Sequence, residues 1–200
     1  MPGERDVRPA SGENAPARGP KLTYDDFLLF PDDGKRHELI DGEHYEAPSP
    51  TLRHQRISKR LFAAIDNWLG KHPVGEIFYA PLDVILSDFD VVEPDLLYVS
   101  NQRAGDLLGG THVRGAPDLV IEIGSPGTRQ RDETIKQRLY EKSTVIEYWV
   151  VDPEIDVVRV YRRDGERFAR AVELTREGDD LLTTPLLPGL QIALRDVFSI

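Results

Sequence analysis

The apolar positions change period from one segment of the chain to the next, and the changes predict an alternation of helices and strands. The segment SPTLRHQRISKRLFAAIDNWLGKH predicts a long amphipathic helix, punctuated at its end by Gly70 and Pro73. Its apolar positions at helical spacing are Ile57, Leu61, Ala64, Ile65, Trp68 and Leu69. By contrast, PDLVIEIGS is a short and nearly continuous apolar run, typical of a strand buried on both faces. We expect this strand at the centre of a sheet.

Turn and capping residues mark the smaller elements. Thr23 followed by Asp26 is a capping-box pattern, which predicts a short helix in KLTYDDFLLFP. The dipeptides Asp41-Gly42 and Asp164-Gly165 predict the tight turns of two hairpins.

The remaining segments complete a mixed order. GEIFYAPLDVILS and VVEPDLLYVS predict the two strands of one hairpin, and NQRAGDLLGGTHVRGA, with its four glycines, predicts a surface loop. After the central strand, RQRDETIKQRLYEKSTV predicts a helix and IEYWVVDPE a second buried strand. The order is helix, three strands, helix, strand, with a hairpin before and after. It predicts an α/β (α+β) fold with a mixed central β-sheet flanked by helices.

Length and composition limit the organisation to one folded domain. The chain has 200 residues, of which 40% are hydrophobic, which suits a single core. Residues 1–20 are rich in Pro, Gly, Ala and charge and predict a disordered tail, which leaves residues 21–200 as the domain. The sequence has no apolar run that suits a membrane span or a signal peptide, so we expect a cytoplasmic protein.

Charge and cysteine content narrow the chemistry. With no cysteine, the chain cannot form disulfides, thiolate nucleophiles or Cys-based zinc sites, so carboxylates and five histidines are the available metal ligands. Hard cations such as Mg²⁺ or Mn²⁺ are favoured. The net charge of −10 argues against a surface that coats nucleic acid, although a local basic strip would suffice for DNA. RHQRISKR and RQRDETIKQR are such strips, and each is equally compatible with a solvated helix face.

Two acidic residues stand in apolar strands, where an unpaired charge is costly. Glu122 interrupts LVIEIGS, and the period of two places Asp118 and Gly124 on its side of the strand. Asp95 follows Pro94 at the start of another strand, where a lone acid would only cap or pair locally. Two acids on neighbouring strands are instead suited to Mg²⁺, whose bound water can attack a phosphodiester.

The helix after the central strand offers a cation. Asp132, Lys136 and Tyr140 are spaced to lie on one helix face. On one interpretation this face is solvated, and the Asp132–Lys136 pair contributes only about 0.2–0.5 kcal/mol. On the other, the Lys136 amine reaches Glu122, where it orients the attacking water or offsets charge in the transition state.

Seven motifs in a fixed order resemble the Uma-two-type restriction endonuclease family of the PD-(D/E)XK nuclease superfamily. They are HELIDGEHYEAPSP, RHQRISKRL, APLDVILS, VVEPDLLYVS, GAPDLVIEIGSPGTRQRDETIKQRLYEK, EYWVVDPE and LPGLQIALRDVF, and they extend from about residue 22 to about residue 198. The resemblance implies a restriction-endonuclease-like core and metal-dependent hydrolysis of DNA phosphodiesters. It also implies that Asp95 and Glu122 are catalytic residues that hold Mg²⁺ or Mn²⁺.

The chain departs from the superfamily formula at Gly124, where the formula has Lys. By the resemblance, the catalytic lysine is Lys136 in the following helix. The resemblance also makes Glu43 a candidate auxiliary catalytic acid, although a solvent-facing hairpin residue is at least as good an interpretation. Asp83 and Tyr140 are weaker candidates for supporting the site.

Other functions remain open from the sequence. His54 could contact phosphate, but a histidine on a helix surface often has no such role. The chain could be a catalytically inactive nuclease-fold protein that binds nucleic acid or a protein partner, because a fold does not fix a function. It could also be a structural or regulatory protein whose acids only form salt bridges. Since restriction-type nucleases commonly pair to cut both strands, the resemblance further implies a homodimer.

Overall fold

A computed structural model describes residues 20–31, 33–124 and 132–199, except for the side chains of Asp132 and Glu133. The predicted tail at 1–20 lies almost entirely outside the described residues, as does the start of the basic segment 129–138. Within the described part, no helix has both the length and the apolarity needed to cross a bilayer.

The elements follow the chain in the predicted mixed order. The helices are α1 (Tyr24–Phe27), α2 (Leu52–Leu69), α3 (Asn101–Leu107), a π-helical turn (Asp132–Lys136) that continues as α4 (Gln137–Lys142), and α5 (Leu194–Phe198). The strands are β1 (Arg36–Ile40), β2 (Glu43–Ala47), β3 (Gly75–Tyr79), β4 (Val84–Ser87), β5 (Asp90–Val92), β6 (Leu96–Ser100), β7 (Val113–Arg114), β8 (Leu119–Ile123), β9 (Glu147–Asp152), β10 (Val157–Asp164), β11 (Arg167–Phe168), β12 (Val172–Thr175), β13 (Leu181–Leu182) and β14 (Ile192–Ala193).

The larger sheet has β8 in its interior, as the continuous apolar run predicts. Its order is β11-β10-β9-β8-β6-β3, and β8 runs parallel to β9 and antiparallel to β6. Leu119, Ile121 and Ile123 belong to the core cluster that also contains the buried face of α2. Val120 belongs to the core cluster on the other side, together with Tyr140 of α4. The predicted core of helix, three strands, helix, strand is therefore confirmed by α2, β3, β6, β8, α4 and β9.

A second sheet, of order β2-β1-β5-β4-β7, lies beside the first and carries the first hairpin. The hairpin turn is the predicted Asp41-Gly42 pair, with φ of 54° and 73°. Two successive residues at positive φ are what a tight two-residue hairpin turn requires. The predicted capping box is also confirmed, since Thr23 and Asp26 form it at α1. The second predicted hairpin is formed by β10 and β11, but its turn is Gly165-Glu166 and not Asp164-Gly165.

The predicted hairpin of GEIFYAPLDVILS and VVEPDLLYVS is confirmed, because the two segments pair antiparallel with each other, but neither segment is one continuous strand. Each segment is divided between the two sheets, because β3 pairs with β6 while β4 pairs with β5. The divisions fall at Pro81 and Pro94, which cannot donate to a strand ladder. The chain thus passes from one sheet to the other and back, and Asp95 lies at the second crossing.

The predicted surface loop NQRAGDLLGGTHVRGA also needs correction, because it contains α3 and β7. Leu107 at the end of α3 is 6% exposed and Val113 of β7 is 1% exposed, so both contribute to the core. The glycines obscured the helical spacing of Ala104, Leu107 and Leu108. Tertiary burial, rather than local propensity, stabilises this short helix.

Candidate functional site

Strand β1 contributes two charged residues to one face because its side chains alternate. Arg36 and Glu38 point to the side where the larger sheet presents Glu122. The charged cluster assembled there takes its members from β1, α2, the start of β6, β8, the π-helical turn and α4. They are Arg36, Glu38, His54, Asp95, Glu122, Lys136 and Tyr140.

Lys136 is the centre of this cluster. Its ammonium donates to Oε1 of Glu38 and to Oε1 of Glu122, each at 2.8 Å, although the residue is only 1% exposed. The interpretation of this helix face as solvated is therefore wrong at Lys136. Removing one partner from a buried ion pair typically lowers the free energy of unfolding by about 3–5 kcal/mol, because the other charge stays buried without compensation. Lys136, Glu38 and Glu122 therefore stabilise the fold only when all three are present.

Tyr140 supports the same carboxylate from one helical turn further on. Its hydroxyl donates to Oε1 of Glu122 at 2.7 Å. Burial, together with the charge of Glu122, raises the pKa of Tyr140 well above its usual value. The hydroxyl therefore stays protonated and remains a donor, which fixes the orientation of Glu122.

Asp95 is held by three donors on adjacent elements. Oδ2 accepts from the backbone N–H of Ile123 at 2.8 Å and lies 3.0 Å from Nε2 of His54. Oδ1 accepts from Arg36 at 3.1 Å. Burial by itself would raise the pKa of Asp95, but the hydrogen bond and charge of His54, the charge of Arg36 and the Ile123 N–H together hold the pKa below its usual value. Asp95 is therefore ionised at neutral pH.

The three main predicted residues consequently share one connected cluster. Glu122 is bound by Lys136, and the residue after Glu122 donates its N–H to Asp95. The cluster places three carboxylates, on Glu38, Asp95 and Glu122, against the cations Arg36 and Lys136. Both cations lie in the field of more than one carboxylate, and the charges of Asp95 and Glu122 outweigh burial and raise the pKa of Arg36.

A groove reaches this cluster at Asp95. Its volume is about 760 Å³, and its walls include Lys35, Arg36, His54 and Lys59. Glu122 and Lys136, 2% and 1% exposed, lie behind this surface. Cationic and imidazole side chains therefore line the groove at the surface, whereas Lys136 and Glu122 are buried beneath it.

Comparison with known proteins identifies the family of the chain and a solved structure of similar fold. The model of the Uma2 family, described as "Putative restriction endonuclease", matches residues 24–195. The chain belongs to the Uma2 family. A crystal structure of a putative nuclease belonging to DUF820 from Anabaena variabilis ATCC 29413 is similar in fold, with a TM-score of 0.75 and 24% identity. The match covers 89% of this chain and 98% of the Anabaena chain. Comparison with curated proteins returns no match.

Two other predicted acids of this Uma2-family chain lie outside the cluster. Glu43 is exposed on β2 and accepts from the Tyr45 hydroxyl at 3.0 Å. Asp118 was expected beside Glu122, but its carboxylate accepts from the Ser100 N–H at 2.7 Å and from Arg103 at 3.2 Å. Asp118 therefore joins β8 to the start of α3.

Sequence reasoning missed Arg36 and Glu38 and undervalued His54. Glu38 stands in RHELI between buried neighbours and is 1% exposed, so the reasoning that selected Glu122 applies to it equally. His54 is 7% exposed at the start of α2 and touches Asp95 instead of solvent. Its proximity to Asp95 depends on the crossing of the chain between sheets, which the sequence does not reveal.

Asp83, a weaker candidate, forms a carboxyl pair with Glu93 beside the cluster. Burial and then the charge of Asp83 raise the pKa of Glu93 to about 7. Burial also raises the pKa of Asp83, partly offset by its hydrogen bond with Glu93. The N–H of Glu93 donates to Oε1 of Glu38 at 3.1 Å, which connects the pair to the Lys136 cluster.

The donor set of Asp95 and Glu122 fits a hard divalent cation. Both side chains offer carboxylate oxygens on neighbouring strands, and both are oriented by hydrogen bonds. At present Arg36 supplies the positive charge at Oδ1 of Asp95. Arg36 is 26% exposed and lines the groove, so its side chain lies between the groove and Asp95.

Proposed function

We propose that the chain is a divalent-metal-dependent endonuclease that hydrolyses DNA phosphodiester bonds. The observation that supports it most directly is the placement of Asp95 and Glu122 on adjacent strands, with buried Lys136 bonded to Glu122. Asp95 and Glu122 would hold Mg²⁺ or Mn²⁺. Family membership supports a nuclease in general, and the site chemistry supports the metal and the reaction.

The ion, when bound, would supply an acidified water and positive charge on the phosphate. The side chains prepare the site for it. Lys136 and Tyr140 fix Glu122 through Oε1. His54 and the Ile123 N–H hold Oδ2 of Asp95, which leaves Oδ1 to exchange partners.

Arg36 has the role of accepting the substrate. Its guanidinium matches a phosphate in geometry as well as it matches a carboxylate. Transfer of Arg36 from Asp95 to an incoming phosphodiester exchanges one ion pair for another and releases Oδ1 of Asp95. The same movement would couple DNA entry to completion of the metal site.

DNA as substrate is supported by the side chains around the groove. Lys35, Arg36 and Lys59 line it, whereas Arg53 and Arg60 of the same basic strip bond to the protein itself. The remainder of the surface is acidic overall, since the chain carries a net charge of −10. Contact with the phosphate backbone is therefore expected at the groove and not over the whole surface.

The test combines Mn²⁺ calorimetry with cleavage of supercoiled plasmid. We expect the wild type to bind Mn²⁺ and to nick or linearise the plasmid, and EDTA to stop the reaction. Asp95→Asn and Glu122→Gln should lower cleavage by at least about 100-fold, as does loss of a single charge-stabilising group at other active sites. Asp66→Asn, which changes an exposed acid of α2, is the matched control and should behave as wild type.

Two outcomes would overturn the proposal. A folded wild type that neither binds Mn²⁺ nor cuts DNA would leave the acids as structural salt bridges. A wild type that binds DNA without cutting would indicate an inactive nuclease-fold protein. Glu43→Gln added to the series tests the predicted auxiliary role, which requires a loss of activity without a loss of stability.

The homodimer and the cytoplasmic location stay predictions from the resemblance and the sequence. Cutting of both DNA strands is simplest with two copies of the site. Light scattering coupled to size-exclusion chromatography would report a mass near twice 22.6 kDa for a dimer.

A further inference from the structure

The face of the β1–β2 hairpin that turns away from Lys136 carries a second group of metal-ligating side chains. His37 is directly opposite Glu46 in the antiparallel register, and His44 precedes Glu46 by two residues on the same strand. Directly paired residues and residues two apart share a face of a sheet. His37, His44 and Glu46 therefore project to one side, opposite to that of Arg36 and Glu38.

These three side chains are close enough to bind one ion. Nδ1 of His37 lies 2.9 Å from Nε2 of His44. One ligand atom from each of the three residues lies within 4.8 Å of the others, and this is the only such group among the described residues. In tetrahedral zinc sites the metal–ligand distances are about 2.0–2.2 Å, so neighbouring ligand atoms are about 3.3 Å apart. Small side-chain rotations therefore suffice.

Asp33 orients His37 for this purpose. Its Oδ1 lies 3.0 Å from Nε2 of His37, and a carboxylate in that position accepts the ring proton. The proton is thereby fixed on Nε2, so the Nδ1 lone pair accepts the N–H of His44 Nε2. A metal takes the place of that proton when His44 carries its proton on Nδ1 instead. A carboxylate that holds the second ring nitrogen is the usual support of a metal-bound histidine.

Aromatic packing fixes both rings on this face. The Phe30 ring meets the rings of His37 and His44 edge to face, with centroids 5.6 Å and 4.7 Å away. His37 is 8% exposed, whereas His44 and Glu46 are exposed. The ligand group is thus anchored at His37 and open to solvent at the other two residues, which permits an ion to enter.

The ligand types select the class of ion. Two imidazole nitrogens with one carboxylate suit Zn²⁺ and neighbouring transition metals, and they do not suit Mg²⁺, which takes oxygen ligands. Glu46 currently accepts from Lys35 at 2.9 Å, so an ion must displace that ammonium. Because the ion competes with the singly charged Lys35 ammonium for the Glu46 carboxylate, a doubly charged ion is favoured over a singly charged one.

We propose that His37, His44 and Glu46 form a binding site for a Zn²⁺-class transition metal, with water as fourth ligand and Asp33 as the supporting carboxylate. The site is separate from that of Asp95 and Glu122. It crosslinks β1 to β2, and so holds the strand that carries Arg36 and Glu38.

Cobalt absorption tests the site without any assay of activity. Titration of the metal-free wild type with Co²⁺ should give the intense visible bands of a four-coordinate ion, and Zn²⁺ but not Mg²⁺ should abolish them. His44→Gln should weaken Co²⁺ binding by more than about 100-fold, since it removes a ligand, and Asp33→Asn by about 10- to 100-fold. His44 is exposed, so the variant should fold.

Two controls separate this site from the others. His72→Gln removes an exposed histidine that stacks on Trp68 and should leave the cobalt bands unchanged. Glu122→Gln should also leave them unchanged, even though it is expected to weaken Mn²⁺ binding. The proposal is overturned if the wild type gives no four-coordinate spectrum, or if His44→Gln keeps the wild-type affinity.

Discussion

Glu93 is the residue whose ionisation should affect stability near neutral pH. Its pKa is raised to about 7 by burial and by the charge of Asp83. Between the ordinary value of 4.5 and about 7, the folded state holds a proton that the unfolded state has released. The contribution of this proton to the free energy of unfolding is therefore fully present below pH 4.5. It decreases as pH rises above 4.5 and is lost once pH has passed about 7.

Glu93→Gln should therefore flatten the pH dependence. We expect wild-type stability, measured by urea unfolding, to fall from pH 5 to pH 8, and the fall to be smaller in Glu93→Gln. Glu76→Gln changes an exposed acid of β3 and should reproduce the wild-type slope. Identical slopes for wild type and Glu93→Gln would contradict the raised pKa.

At the residue scale, the sequence predicted the acids that interrupt apolar strands and missed their cationic partners. Glu122 could be identified because a buried carboxylate requires a partner. Contact of Lys136 with Glu122 was one of two interpretations of its helix face, the other being a solvated face. Arg36 and His54 could not be identified in this way. Each looks like an ordinary surface residue in its own segment, and only long-range packing brings it to Asp95.

The edge strand β3 and the short helix α3 contain glycines with opposite requirements. A Cβ on Gly75 would lie 2.3 Å from the carbonyl oxygen of Val99 and 2.6 Å from the Tyr98 ring. A Cβ on Gly105, in α3, would meet nothing within 4 Å. The two positions therefore give a matched pair of Gly→Ala substitutions.

Gly75→Ala should destabilise the protein by about 1–3 kcal/mol or more, because β3 must move away from β6 to relieve the overlap. Gly105→Ala should stabilise it by about 0.5–1 kcal/mol, since alanine costs less conformational entropy in a helix. Urea unfolding of both variants provides the comparison. A stabilising Gly75→Ala would mean that β3 does not pack against β6 as described.

At the element scale, long periodic segments were predictable and short ones were not. The period of α2 and the apolar runs of β8 and β9 reflect burial that each segment records in its own residues. The division of GEIFYAPLDVILS between two sheets does not follow from its alternation, which β3 and β4 share. Likewise, α3 contains Gly105 and is stabilised by packing of Leu107, a tertiary contact.

At the scale of the whole molecule, the groove carries three cations, Lys35, Arg36 and Lys59, beside the acids Glu93 and Asp95, on a protein that is acidic overall. If DNA binds there, each phosphate contact contributes about 0.9 to the slope of log affinity against log salt concentration. Lys59 is exposed and lines the groove. Lys142 is also exposed but lies outside that lining.

Lys59→Gln should reduce the salt slope by about 0.9 and weaken binding equally for different DNA sequences. Lys142→Gln should leave the slope unchanged. Fluorescence anisotropy in EDTA, where the DNA stays intact, measures both. If Lys142→Gln reduced the slope and Lys59→Gln did not, the DNA would lie on another face of the molecule.

The charged cluster draws its members from distant parts of the chain, with 98 positions between Glu38 and Lys136 and 59 between Arg36 and Asp95. During translation, Arg36, His54 and Asp95 leave the ribosome well before Lys136 does. A nascent chain that ends before residue 136 lacks the Lys136 ammonium that binds Glu38 and Glu122. In such a chain β8 also has no β9 beside it. The cluster is therefore complete only in a polypeptide whose synthesis has passed β9, so the site is assembled late in translation.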